Sequence, residues 1–145
     1  MISFLKKLFN KKEIKPSPVI EEKIPEPEPS LPEIEFDPVK HLIDPLQLKQ
    51  SIEENKNLQI IDVREPHEWK LGRLNCSKHI PMNSLPLDLE KLDKNIETVM
   101  ICEHGIRSLD CAYFLLQNGF ADVKSLDGGM ANWYYKHGMT MIDKG

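Results

Sequence analysis

From His41 onward, short apolar runs of strand length alternate with longer runs of helical spacing, and this alternation constrains the fold more than any other feature. Leu58-Gln59-Ile60-Ile61-Asp62-Val63 is mainly apolar and ends in polar residues, the pattern of a buried parallel strand whose polar end faces a site. Glu97 to Cys102 (ETVMIC) is the clearest strand, Ala121 to Leu126 is a further one, and Lys78 to Pro81 is a weak one stopped by Pro81. Between them, helical patterns cover Pro45–Asn55, Glu65–Leu71, Leu85–Leu92, Arg107–Asn118 and Gly128–His137. Pro45 suits a first helical turn, and Gly72, Gly119 and Gly138 end their helices. The order predicts an α/β fold, a parallel sheet with helices on both faces. Ligands of such sheets bind beyond the carboxyl ends of the strands.

The first forty residues are a different kind of chain. Seven of the eleven prolines fall between Pro16 and Pro38, and eight acidic residues lie between Glu13 and Asp37. Proline breaks helices and sheet ladders, and like charges repel, so residues 13–40 are expected to be a disordered Pro/acidic linker. Residues 1–12 differ again. On a helix, Ile2, Phe4, Leu5, Leu8 and Phe9 share one arc, with Lys6 and Lys7 pointing away from it. That is the pattern of a short basic amphipathic segment touching an anionic membrane surface or a protein groove. A frayed tail is the alternative, since isolated helices this short are marginal. Residues 41–145 are then the folded domain.

Charge and cysteines exclude several classes. The 145 residues carry a net charge of −4, which argues against nucleic acid as a partner. Cys76, Cys102 and Cys111 are odd in number and form no C-x-x-C, and the five histidines show no ligand spacing, so neither a disulfide framework nor a metal site is expected. Free thiols point to a reducing, cytoplasmic location, with membrane association only through residues 1–12. No apolar run has the ~20 residues of a membrane span, and the start lacks the core and cleavage site of a secretory signal. Gly128-Gly129 is not part of a G-x-x-x-x-G-K-[ST] loop, so no nucleotide or other cofactor is expected.

The chemistry sits in Cys102-Glu103-His104-Gly105-Ile106-Arg107-Ser108, which joins the clearest strand to a helix. A cysteine stands at the strand's carboxyl end, Gly105 lets the chain curve, and Arg107 and Ser108 open the helix. N–H groups at a helix start lack intrahelical partners and face anions well. With the Arg107 charge they favour a reactive Cys102 thiolate.

The loop C-E-H-G-I-R-S resembles the C-x-x-G-x-R-S active loop of the rhodanese family of sulfurtransferases. Other segments resemble that family in order. They are Asp62-Val63-Arg64-Glu65-Pro66 with Glu68-Trp69, Gly72-Arg73-Leu74 with Ile80-Pro81, Asn118-Gly119-Phe120, and Leu126-Asp127-Gly128-Gly129 with Trp133. The resemblance spans residues 42 to 143 and implies a rhodanese-like fold. It also implies that Cys102 is the catalytic nucleophile, taking sulfane sulfur from thiosulfate or a persulfide and passing it to a thiol acceptor, in a relay that can include a protein partner. Residues 103–108 would form the active loop around the bound anion, and Asp62 and Arg64 would support it through hydrogen bonds.

Departures from the pattern matter as well. Cys76 stands where the family has a glycine, which allows a structural role or a resolving thiol, and Arg73 replaces a histidine. Cys111 reads as core packing, as do Trp69 and Trp133. A Glu103 carboxylate aimed at the pocket would repel thiosulfate, whereas one aimed outward would matter little, and His104 either binds the anion or is merely exposed. The expectation is therefore a sulfurtransferase or persulfide carrier for which thiosulfate is a poor donor. A phosphatase loop would be C-x5-R, and Cys102 to Arg107 is the shorter C-x4-R. A noncatalytic or redox-sensing binding module tethered by its tail is the remaining alternative.

Overall fold

Apolar side chains on both faces of the two longest strands force the sheet into the interior. In the computed structural model, which describes residues 16–18 and 25–145, β2 (Leu58–Asp62) and β5 (Glu97–Ile101) pair in parallel at the centre. Around them lie β1 (Leu42–Ile43), β4 (Lys78–His79) and β6 (Val123–Leu126), in the sheet order β1-β6-β5-β2-β4, with every pairing parallel. The short strands β3 (Arg73–Leu74) and β7 (Ile142–Asp143) form a separate antiparallel pair that the sequence reading did not contain.

Side chains alternate across a strand, so the sheet needs two cores. On one face Ile61, Val63, Met100 and Val123 pack against Cys111, Ala112 and Leu115 of a long helix and against Leu85. On the other, Ile60, Val99, Ile101 and Leu126 meet Leu48, Met130 and Trp133. The helices are α1 (Pro45–Glu53), α2 (Pro66–Leu71), α3 (Leu85–Asp88), α4 (Ile106–Gln117) and α5 (Gly129–His137). α4 with α3 thus covers one face, and α1 with α5 covers the other. The helix expected over Leu85–Leu92 narrows to α3 followed by a 3₁₀ turn at Leu89–Lys91.

Caps mark the helix starts. Asp44 accepts from the N–H groups of Leu46 and Gln47, and Gln47 returns a bond to the Asp44 N–H. At α2, Glu68 accepts from the Glu65 N–H at 2.8 Å.

Residues 1–15, with the expected amphipathic segment, lie outside the described residues. Residues 25–30 are exposed and carry neither helix nor strand. The compact unit runs from Leu31 to Gly145, so residues 31–40 belong to it although their composition suggested linker. Phe36 is the reason. Its ring stacks on His41 at 4.8 Å and meets Tyr113 at 5.1 Å, while Gln117 donates to the Pro32 carbonyl. One aromatic residue and one amide lay this segment along α4. Among the described residues no helix is long and apolar enough to cross a membrane.

Candidate active site

The register brings the chemistry to one end of the sheet. Asp62 pairs with Ile101 and Met100 pairs with Ser125, so the carboxyl ends of β2, β5 and β6 converge. Cys102 lies two residues beyond Met100 and shares its face of the sheet, the face that α4 covers. Its side chain therefore meets the first turn of α4.

Cys102 is 1% exposed. Its Sγ accepts from the Gly105 N–H at 3.0 Å and lies 3.2 Å from Ser108 Oγ. Ser108 Oγ is in turn 2.7 Å from Ser125 Oγ, and Ser125 can donate to the Gly105 carbonyl at 3.4 Å. Both serines are fully buried. Gly105 makes the fold-back with φ of +88°, and a Cβ there would press on the backbone of Gly128 and Leu126.

The loop is tied from outside by α5. The Met130 N–H donates to the Cys102 carbonyl at 2.9 Å and the Ala131 N–H donates to the Glu103 carbonyl at 3.0 Å. Two N–H groups of the first turn of α5, which have no partner within the helix, are satisfied there. In a trans peptide the N–H opposes the carbonyl, so the Glu103 and His104 N–H groups point away from α5. Gly129, with φ of +61°, allows this approach, because a Cβ would fall on the Cys102 and Glu103 carbonyls. Gly128-Gly129 is thus the floor under the loop.

Three ion pairs, made by Arg64 and Arg107, lie at the active loop. Arg64, buried, donates to both carboxylate oxygens of Asp62, at 2.8 to 3.1 Å, and to the Gly72 carbonyl at 2.8 Å. It also reaches Glu103 Oε2 at 3.3 Å, so Glu103 is turned toward Arg64 and is one third exposed. Burial works against the Arg64 charge, but the hydrogen bonds and field of Asp62, then of Glu103, outweigh it and hold its pKa above the ordinary value. Arg107 forks onto Glu68, with bonds of 2.8 and 2.7 Å. Those bonds hold the Glu68 carboxyl at about 2, against desolvation, with help from the Glu65 N–H. The same bonds raise the Arg107 pKa.

Of the expected site residues, Cys102, Gly105 and Ser108 meet at the sulfur, while Asp62, Arg64 and Glu103 form one ion-paired chain beside it. His104 and Ile106 are exposed on the loop. Sequence reasoning missed Ser125 and gave Glu68 no role. Glu68 carried a local signal, a capping pair with Glu65, but its fork to a residue 39 positions away did not show. Cys111 is buried, and burial pushes its thiol up to about 12, which makes it inert. Cys76 lies by Ile52, Leu58 and Ile60, toward the amino ends of the strands and opposite the Cys102 end of the sheet. Trp133 is core, whereas Trp69 is sandwiched between His79 at 4.8 Å and the Arg73 guanidinium at 3.9 Å.

Comparison with known proteins converges on one group. The sequence profile of the rhodanese-like domain matches residues 44–136. The candidate sulfurtransferase YtwF of Bacillus subtilis is 41% identical over 86 residues, which are 59% of this chain and 82% of YtwF. The thiosulfate sulfurtransferase GlpE of Pseudomonas paraeruginosa is 37% identical over 91 residues, 63% of this chain and 81% of GlpE. Among solved structures, a rhodanese-like domain protein of Staphylococcus aureus superimposes with a TM-score of 0.61 at 35% identity. That match covers 63% of this chain and 89% of the other.

Proposed function

The chain belongs to the rhodanese-like domain family, and we propose that it is a rhodanese-type sulfurtransferase that carries sulfane sulfur as a persulfide on Cys102. The carrying observation is the pair of groups on Cys102 Sγ, the Gly105 N–H that donates at 3.0 Å and the Ser108 hydroxyl that can donate at 3.2 Å. Two converging donors at a strand end suit an anionic sulfur.

The first step is a displacement. The Cys102 thiolate attacks the sulfane sulfur of the donor, an S–S bond forms, and the donor's own bond to that sulfur breaks. The leaving group, sulfite from thiosulfate or a thiolate from a persulfide, departs with the electron pair. Cys102 then holds the outer sulfur as an anion. In the second step an acceptor thiolate attacks that sulfur, and the Cys102 thiolate leaves. The thiolate is met by the donors on Sγ, and the anionic outer sulfur of the persulfide, one S–S bond further out, stays beside the same loop. Asp62 and Arg64 position the loop through Glu103, Arg107 is held by Glu68, and none of the five exchanges a proton with the substrate. The free thiols of the chain suit a reducing, cytoplasmic setting.

Intact-mass measurement after exposure to thiosulfate and to glutathione persulfide tests the reading. Wild type should gain the mass of one sulfur atom and lose it to added thiol, and Cys102→Ser should gain none. Sulfur retained on the serine variant would place the carrier elsewhere and end the proposal.

A further inference from the structure

The charges around Cys102 have a balance that bears on which donor the site accepts. Asp62, Glu68 and Glu103 supply three carboxylates, and Arg64 and Arg107 supply two guanidiniums. All five are joined by ion pairs of 3.3 Å or less, in two groups that meet where Arg64 approaches the Glu68 carbonyl. The inner cluster therefore carries one net negative charge before the Cys102 thiolate adds a second. Both guanidiniums are already ion-paired. The Arg107 fork is filled on both arms by Glu68, and Arg64 is divided among Asp62, Glu103 and the Gly72 carbonyl.

Glu103 decides the sign of this balance. Without it, two carboxylates would match two guanidiniums. It follows the nucleophile directly, and its carbonyl is pinned by the Ala131 N–H, so the residue cannot leave the loop. Its carboxylate is only one third exposed, which limits screening by water. An approaching dianion meets repulsion from Glu103 and from the thiolate together. The attraction left to it comes from the partly exposed Arg107 and from backbone dipoles, the Gly105 N–H and the start of α4.

We propose that Glu103 is a specificity-determining residue that selects against dianionic sulfur donors, so that the preferred donor presents its sulfane sulfur on a group of low negative charge. This rests on Cys102 persulfide formation and adds the charge class of the donor to it. A thiosulfonate monoanion and a persulfide on an uncharged or cationic thiol belong to the favoured class, and thiosulfate does not.

Thiosulfate and methanethiosulfonate make the test. Both deliver one sulfane sulfur to a thiolate and expel an anion, sulfite or methanesulfinate, and they differ by one unit of charge. Steady-state kcat/KM is measured with each donor for wild type and Glu103→Gln, with intact mass to report sulfur on Cys102. Glu103→Gln should raise the thiosulfate-to-methanethiosulfonate ratio of kcat/KM about tenfold, the effect of one carboxylate on one extra charge at a partly shielded site. For wild type alone, raising ionic strength from about 0.02 to about 0.5 M should raise kcat/KM for thiosulfate more steeply than for the monoanion, because screening weakens the repulsion. An unchanged ratio in Glu103→Gln, or parallel salt dependences, would overturn the inference while sulfur on Cys102 kept the sulfurtransferase reading intact. Failure of both donors to load Cys102 would instead remove that reading, and the inference with it.

Discussion

Glu68→Gln isolates the charge that holds Arg107. The exchange removes the carboxylate but keeps an oxygen able to accept from the Glu65 N–H, so the start of α2 stays capped. The Glu68 carboxyl is held at about 2 against an ordinary 4.5, chiefly by the two bonds from Arg107. Taken whole, that difference corresponds to ~3 kcal/mol of native-state stability. The Arg107 side chain is 35% exposed, so water screens the pair, and ~1–2 kcal/mol is the sounder figure. Because the folded value lies below the unfolded one, the contribution is full above pH 4.5 and is lost as pH falls toward 2. At pH 3 about two fifths of it remains. Urea unfolding of both proteins at pH 7 and pH 3 reads the difference directly. Glu68→Gln should be less stable by ~1–2 kcal/mol at pH 7 and by less than half of that at pH 3. Equal destabilisation at both values would show that shape or amide geometry, not charge, is responsible, and the electrostatic account of the Arg107 position would fail.

Two further substitutions probe the loop itself. Ser108→Ala removes one of the two donors on Cys102 Sγ and should slow sulfur loading about tenfold in quenched intact-mass kinetics, less than an oxyanion hole loses because sulfur is a weaker acceptor. An unaltered rate would mean that the hydroxyl does not serve the anion. Gly129→Ala places a Cβ on the Cys102 and Glu103 carbonyls and should lower stability by ~3 kcal/mol or more. Gly138→Ala, also at positive φ but with open space around it, should cost ~2 kcal/mol from backbone strain alone, and thermal melts of the two compare them.

How far the molecule could be read in advance depended on whether a signal was local. β5 and Cys102 were legible because an apolar run ended beside a glycine and a helix start. β2 and β6 were legible as apolar runs as well, and β4 as a weaker one, whereas the two-residue β1 and the order of the strands were not. β3 and β7 were not legible: each has two residues, and their pairing across 68 positions leaves no period to detect. Phe36 escaped for a related reason, since a proline-rich, acidic composition predicts linker and a single ring contact overrides it. In the site, Cys102 and its loop could be picked out from sequence, but the direction of Glu103 could not. Its orientation depends on Arg64, which itself is fixed by Asp62 and the Gly72 carbonyl. Ser125 looked like any small residue in a buried strand until the register set it against Met100, on the Cys102 face.

That register joins the two serines in one hydrogen-bonded chain to the sulfur. Each hydroxyl has one proton to donate, and the chain Cys102–Ser108–Ser125–Gly105 admits two directions. With Cys102 as a neutral thiol, S–H donates to Ser108, Ser108 to Ser125, and Ser125 to the Gly105 carbonyl. With sulfur as an anion the order reverses. Ser125 donates to Ser108 at 2.7 Å and Ser108 donates to sulfur, while the 3.4 Å contact to the carbonyl, the longest in the chain, is given up. The Gly105 N–H donates to sulfur in either case. Deprotonating Cys102 therefore releases only the weakest bond of the chain and leaves no hydroxyl proton unpaired. A buried anion is tolerable only when its donors are already in place, and here two hydroxyl rotations supply the second donor without moving the backbone. For the proposed carrier, alternating between thiolate and persulfide, the two hydroxyl rotations would suffice to turn donors toward the sulfur.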